Sequence, residues 1–373
     1  MSIYAHITGW GTAVPEKILT NDDIAQIVET SDEWIVSRTG IRERHIAGKG
    51  ESTATLASKA ALQALTCAGL PPSKVDLIIV SSSSPEHIFP ATACLVQDHI
   101  GAINAGAFDL SAACTGFIYA LSMAAAQIRS GVIQNAVVIG AETLSRLVNW
   151  EDRDTCILFG DGAGAFVLQA SETPGGVLSS TLHSDGSGAK SLMLPAGGSR
   201  YPTTMETVRQ GMHYIQMNGR EVFRFATRVM AQATQEVVER AGLQVADLQL
   251  IIPHQANQRI IEAAARGLNL PLERFMVNLE RYGNTSTASI PLAVCEAAEQ
   301  GRLHPGDHIV LVGFGAGLTW GALLAQWSGP LREPTRRIRH VSALNRARAF
   351  VRQTVRRVEG MIWGRGENGK PEK

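Results

Sequence analysis

Short apolar runs separated by helical patterns organise the chain. "AGLPPSKVDLIIVSSSS" from Ala68 and "AGLQVADLQLIIPHQAN" from Ala241 align without a gap at an offset of 173. At the same offset "AVVIG" (136–140) falls on "IVLVG" (309–313). An alanine-rich stretch of helical character precedes each: "TGFIYALSMAAAQIRSG" in the first case, "ASIPLAVCEAAEQGRL" in the second. Upstream, "STATLASKAALQAL" matches "FRFATRVMAQATQEV" in character. Several matches at one offset argue an internal duplication. Each half reads helix, buried strand, helix, buried strand. Such alternation predicts an α/β fold with a mostly parallel sheet covered on both faces. The halves run over residues 1–175 and 176–330, the first with about 18 additional residues around "RLVNWEDRDTCIL".

Past residue 330 the pattern changes. Leu344, Val351, Val355, Val358 and Ile362 form an apolar stripe at spacings of 7, 4, 3 and 4, while Arg346, Arg348, Arg352, Arg356 and Arg357 take other faces. This predicts a basic amphipathic helix over 344–363, suited to an anionic membrane surface or an acidic partner, or packed loosely on its own body. Charge sharpens the contrast. The chain is neutral, but residues 331–373 carry 12 Lys/Arg against 4 Asp/Glu, so the tail is +8 and the body −8.

The 373 residues, 45% of them hydrophobic, can bury a large core, and length alone suggests about two domains. The opening "MSIYAHITGWGTAVPEK" has neither a basic n-region nor a long apolar run, and no uncharged apolar stretch approaches a membrane span. The five cysteines lack metal-like spacing. They read as reduced thiols in a cytoplasmic protein, with no metal site expected.

The offset also locates chemistry. Residue 253 takes the place of Val80, and His254 that of Ser81, at the carboxyl end of a strand, where open α/β sheets bind ligands. Cys114, in "DLSAACTGF", maps onto Thr287, in "RYGNTSTASIPLA". It stands just before a helical run, whose free N–H groups and dipole favour thiolate. Each residue also has a plainer reading: a small core cysteine, a structural histidine, a turn asparagine at Asn284, and helix caps at Gln255 and Asn257. Taken together they fit a thiolate nucleophile with two hydrogen-bond donors for an oxygen. "GDGAGA" (160–165) and "GFGAGLTWG" (313–321) match neither a dinucleotide nor a Walker loop; tight turns beside the site, one offering an oxyanion N–H, suit them better.

"AACTGF", "PHQANQRII" and "GNTSTASIPLA" resemble the Cys, His and Asn motifs of β-ketoacyl-acyl-carrier-protein synthase III, a thiolase-like condensing enzyme. The resemblance covers about residues 3–328 and includes "SDEWIVSRTGIRERHIA" and "DRDTCILFGDGAGA". It implies a layered α-β-α-β-α architecture, with the nucleophile in the first half and His and Asn in the second. It further implies decarboxylative condensation of an acyl-CoA with malonyl-acyl carrier protein by a homodimer. No cofactor is implied, since acyl-CoA is a substrate. Cys114 would be acylated, and His254 and Asn284 would stabilise the enolate. The amides of Cys114 and Ala316 would hold the oxyanion, although the family often has glycine where Ala316 stands. Trp34, Arg38 and Arg153 would flank the adenine of coenzyme A, and Asn257 would contact the pantetheine arm. Met217, Gly219, Phe223 and Phe314 would line the tunnel. Phe89 would reach across the dimer into the partner's acyl pocket, and Arg224, Arg259 and Arg266 would dock the carrier. Alternatives are a related condensing enzyme of polyketide or other secondary metabolism and an inactive acyl-binding homologue. Nucleic-acid binding through the arginine-rich tail is disfavoured by the acidic body.

Overall fold

The computed structural model describes residues 2–330; the tail of 331–373, with its expected helix over 344–363, lies outside the described residues. Two sheets carry the architecture. The first holds β1 (Tyr4–Ala13), β2 (Leu77–Ser81), β3 (Gly106–Leu110), β4 (Asn135–Glu142) and β5 (Gly162–Ser171), in the order β1-β5-β4-β2-β3. The second holds β6 (Gly176–Ser184), β7 (Leu250–Pro253), β8 (His308–Gly315) and β9 (Thr319–Gln326), in the order β7-β8-β9-β6. The helices that shape core and site are α1 (Asp32–Thr39), α2 (Thr53–Ala68), α3 (Thr92–Ile100), α4 (Gly116–Arg129), α5 (Gly219–Arg240), α6 (Gln258–Leu268) and α7 (Ser289–Glu299).

Successive strand residues point to opposite faces, and here both faces are covered. Leu77 and Ile79 of β2 join a core with Leu250 and Ile252 of β7 and with Phe117, Leu121, Ile290 and Val294 of α4 and α7. Those two helices therefore form the middle layer between the sheets. Ile78 and Val80 face the other way, against Leu56 and Ala60 of α2 and Val96 of α3. Ile251 does the same against α5 and α6. The result is the five-layer α-β-α-β-α stack. Burying each such aliphatic side chain contributes about 1.5–3 kcal/mol, and the central layer is shared, so neither half owns a complete core.

The strands recur at the sequence offset: β2 and β7 start at 77 and 250, β4 and β8 at 135 and 308, and α4 and α7 at 116 and 289. The expectation of a mostly parallel sheet needs correction. β2 pairs in parallel with β3 and β4, and β7 with β8, but β1–β5, β4–β5, β8–β9 and β9–β6 are antiparallel. Parallel neighbours need a crossover of a dozen or more residues over a sheet face. Three residues join β8 to β9, and the additional residues between β4 and β5 run out to the site, where Phe159 bridges Asn284. The second half also lacks a copy of β3. Residues Leu279–Tyr282 form a helical turn there, with a single bridge from Ile251 to Phe275 nearby.

The halves interlock through glycines. A Cβ on Gly140 of β4 would lie 2.2 Å from the Thr287 carbonyl oxygen, and one on Gly315 of β8 would lie 2.7 Å from the Cys114 nitrogen. Each half thus leaves room on a strand for the turn of the other. Among the described residues no helix is long and apolar enough to cross a membrane.

Candidate active site

Cys114 sits in a 3₁₀ turn, Ala113–Thr115, between β3 and α4. Ala113 has φ 46°, and Ser286, at the matching place before α7, has φ 48°. Non-glycine residues in this left-handed region are uncommon, so both copies use the same strained turn to swing the following residue off the strand direction. The Cys114 turn is tied to the other half: Thr115 Oγ1 lies 3.1 Å from Thr319 Oγ1, and Thr319 Oγ1 donates to the Ala112 carbonyl at 3.0 Å. Burial pushes the Cys114 thiol up to about 12. The helix N-terminus therefore does not leave a resting thiolate, as its position in the sequence suggests; desolvation outweighs it and the group rests protonated.

His254 follows the last residue of β7. Pro253 closes the strand, since it has no N–H for the ladder, and the His254 N–H donates to the Val312 carbonyl at 2.8 Å. The imidazole is 2% exposed. Burial pulls it down to about 3, so it is neutral. Its Nδ1 lies 2.7 Å from Ser289 Oγ, which already receives the Gln255 N–H at 3.4 Å. A hydroxyl keeps a second lone pair, so Ser289 holds Nδ1 as donor or as acceptor according to the ring's tautomer. The tautomer in which Ser289 donates carries its proton on Nε2.

Asn284 is positioned by the additional residues of the first half. Its N–H donates to the Leu158 carbonyl at 2.8 Å, and its carbonyl accepts from Gly160 at 3.0 Å. Its Oδ1 accepts from the Ser286 N–H at 2.9 Å. The acceptor end of the amide is thereby used inside the turn, leaving Nδ2 as donor.

Cys114, His254 and Asn284 line one cavity of about 1130 Å³. Trp34, Arg38, Arg153, Met217, Gly219, Phe223, Asn257 and Phe314 line it as well, as do Arg224 and Arg259. The guanidiniums of Arg38 and Arg153 stack over the Trp34 ring at 4.8 and 4.7 Å. With Arg220, five arginines line the cavity against a single acid, Asp154. On a body of net charge −8, this cluster concentrates positive potential where an anionic ligand would enter. Three expected residues lie elsewhere. Ala316 is outside the lining, where Gly315 takes its place, and Arg266 is exposed on the last turn of α6. Phe89 is 84% exposed on its own chain. Asn257 caps α6 through its Oδ1 to the Arg259 N–H and donates Nδ2 to the Arg38 carbonyl, so both ends of its amide are already used. Gln255 is not a cap. It is buried, donates to the carbonyls of Pro253 and Met276, and accepts from the Asn278 N–H.

The family described as 3-oxoacyl-[acyl-carrier-protein (ACP)] synthase III matches residues 108–186, and its C-terminal region matches residues 238–327. A β-ketoacyl-[acyl-carrier-protein] synthase III from Roseiflexus sp. (strain RS-1) is 52% identical over 328 residues, 88% of this chain and 100% of its own. Its counterpart from Symbiobacterium thermophilum is 56% identical over 86% of this chain and 97% of its own. The crystal structure of 3-oxoacyl-[acyl-carrier-protein] synthase III from Aquifex aeolicus VF5 superposes with a TM-score of 0.81 at 47% identity, covering 87% of this chain and 100% of that one. The chain belongs to the β-ketoacyl-[acyl-carrier-protein] synthase III family. It is a condensing acyltransferase with the thiolase-like fold.

Sequence reasoning about this family member missed the residues behind the three motif positions. Ser289 holds the imidazole through Nδ1, and Leu158 and Gly160 fix the Asn284 backbone. Glu142 is 0% exposed at the end of β4 and hydrogen-bonds to Thr287. Its signal was present as a lone carboxylate closing the apolar run "AVVIGAE".

Proposed function

We propose that this cavity condenses an acyl-CoA starter with malonyl-acyl carrier protein, releasing carbon dioxide and forming the β-ketoacyl-acyl carrier protein that begins type II fatty acid synthesis. The observation carrying this reading is the convergence of a buried thiol, a neutral imidazole and an amide Nδ2 on one cavity lined by five arginines. Cys114, as thiolate, attacks the thioester carbonyl, and the coenzyme A thiolate departs. The Cys114 amide receives the transient oxyanion, with the Gly315–Ala316 backbone beside the Cys114 turn offering the second N–H. Malonyl-carrier then enters by the same route. Loss of carbon dioxide leaves an enolate, whose oxygen takes hydrogen bonds from His254 and Asn284. Both are neutral donors, so they stabilise the charge without abstracting a proton. The enolate carbon attacks the acyl-cysteine and frees Cys114.

Trp34 with Arg38 and Arg153 presents a flat cationic surface for the adenine and its phosphates, and Arg224 and Arg259 favour an acidic carrier. Ile88 and Phe89, 80% and 84% exposed, support a homodimer that covers them. Five free cysteines favour a reducing cytoplasm. The test is intact-mass spectrometry after mixing with short, branched and long acyl-CoAs, with Cys114→Ala as control. A gain of one acyl group that vanishes in the variant is the expected result. No adduct from any donor would remove the starter-enzyme reading.

A further inference from the structure

Arg44 is 0% exposed, in the short hairpin that pairs Ile18–Thr20 with Glu43–His45. No ion pair among the described residues includes it, and its Nε has no hydrogen-bond partner there. Burial pulls the guanidinium down to about 10, so it remains charged at neutral pH. A buried charge without a counter-charge is a poor device for stability; an apolar side chain of similar volume often serves the fold as well or better. What Arg44 offers that such a side chain lacks is a planar fork of donors.

Those donors lead to Asn284. Nη1 donates to the Leu19 carbonyl at 3.1 Å and to Asn21 Oδ1 at 2.9 Å, and Nη2 donates to the Ile157 carbonyl at 2.7 Å. Ile157, Leu158 and Phe159 line the cavity, so the guanidinium lies directly behind that wall. The same wall carries Asn284, through the Leu158 carbonyl, the Gly160 N–H and the bridge at Phe159. The stem of Arg44 backs both partners of this pairing. A Cβ on Gly160 or on Gly283 would lie 3.1 Å from Arg44 Cβ, and Gly283, with φ 63°, is the residue that turns the chain into Asn284. On either side of Arg44, the Arg42 N–H donates to the Glu280 carbonyl at 3.0 Å and the His45 carbonyl accepts from Asp161 at 2.9 Å. Three segments thus meet on one side chain. The bond from the Ser286 N–H orients the Asn284 amide within its own turn. It does not fix how far that turn stands into the cavity; the wall and Arg44 do.

We propose that Arg44 is a positioning residue for the condensation, setting the reach of Asn284 Nδ2 toward the enolate oxygen by holding the 157–160 wall and the Gly283 turn from behind. The inference rests on Asn284 being an enolate donor. Arg44 itself touches no substrate. Cys114 is fixed independently, by the contacts of its turn with Thr319. The surface of Trp34 and Arg38 on α1 also keeps its own tie, from Asn21 Nδ2 to Asp32 Oδ1 at 2.8 Å. Loss of Arg44 therefore falls on the decarboxylating half-reaction and spares acylation. A lysine keeps the charge as a compact point on a flexible stem and loses the fork.

The experiment is a double-mutant cycle on malonyl-carrier decarboxylation in the full chain, Arg44→Met against Asn284→Ala, with Cys114 acylation by acetyl-CoA followed by intact mass in every variant. Arg44→Met should slow decarboxylation by roughly 10–10²-fold, the scale of a group misplaced by about 1 Å, and leave acylation largely intact. In the Asn284→Ala protein the same substitution should change decarboxylation by less than about threefold, because the donor it positions is gone and the two effects do not add. Arg44→Lys should fall between wild type and Arg44→Met. Arg44→Met decarboxylating at the wild-type rate overturns the positioning role. So does a loss that is just as large in the Asn284→Ala protein, since the arginine would then act independently of the amide. An equal loss of acylation and decarboxylation does the same, because it marks general support of the fold. If the methionine variant does not fold, Arg44→Lys takes its place in the cycle and the same outcomes decide. Asn284→Ala decarboxylating as fast as wild type removes the donor reading beneath the proposal, a result distinct from two independent losses.

Discussion

Ser81 and His254 occupy corresponding ends of β2 and β7, and they have diverged completely. Ser81 is 0% exposed, and its hydroxyl has no hydrogen-bond partner among the described residues. Its strand end is sealed by Thr287 from the other half and by α4, where a Cβ on Gly116 would lie 2.0 Å from Ser81 Oγ. His254 faces the cavity and is held from behind by Ser289, which stands where the first half has Gly116. The exchange of glycine for serine at one helix start converts a packing contact into a hydrogen bond that orients a ring. At the neighbouring turns the assignment reverses: the first half keeps the reactive Cys114, and the second has Thr287, which binds Ser81 and Glu142. Duplication supplied one frame twice. Chemistry could then diverge at each tip, because the tips interlock and the copy not used for reaction supports the one that is.

The largest effect should come from the second-half donors. His254→Ala and Asn284→Ala should each slow malonyl-carrier decarboxylation by about 10²–10³-fold, about 3–4 kcal/mol of barrier, and leave Cys114 acylation largely intact. Separate assays of the two half-reactions check this, and equal loss of both would cancel the division of labour.

Next comes the interlock, for which the repeat supplies its own control. Gly140 and Gly313 are copies, yet a Cβ on Gly140 meets the Thr287 backbone at 2.2 Å, while one on Gly313 finds its nearest neighbours at 3.4 Å. Gly140→Ala should cost about 1–3 kcal/mol, as overpacking does, and Gly313→Ala distinctly less. Denaturant midpoints measure the difference, and similar values for the two would show that the turn of Thr287 yields easily.

The buried imidazole adds a pH slope that Ser81 does not. Its ordinary value of 6.5 falls to about 3 on folding, so between these limits the unfolded chain binds the extra proton. The contribution is complete above about pH 6.5 and is lost as pH falls toward 3, at up to about 1.4 kcal/mol per pH unit. His254→Asn should flatten the fall in melting temperature between pH 6.5 and 4. Parallel curves for variant and wild type would contradict this origin. Smallest of all, Ser81→Ala removes an unpaired buried hydroxyl and should be neutral or stabilising by less than about 1 kcal/mol. A clear loss of stability would reveal a partner for that hydroxyl.

The sequence by itself determined the repeat, the layers and the positions of reactive groups, because each is a local matter. An apolar run such as "LIIV" reports burial on two faces, and a fixed offset reports two copies wherever they come to lie. Pro253 before His254 is likewise a local stop, legible without a fold. The tertiary structure decided what depends on distant neighbours. Strand direction was one such matter, since the antiparallel returns of β5 and β9 follow from where their connections could pass. The state of Cys114 was another: its place before a helix argues for thiolate, and only the packing of β8 and the Ser286 turn around it shows that desolvation wins. Glu142 was a third. Its chain neighbours mark it as a charge at a strand end, but its partner Thr287 is 145 residues away. Periodicity carries no information about such a pairing, because hydrogen bonding and dielectric are set by whatever folding brings alongside.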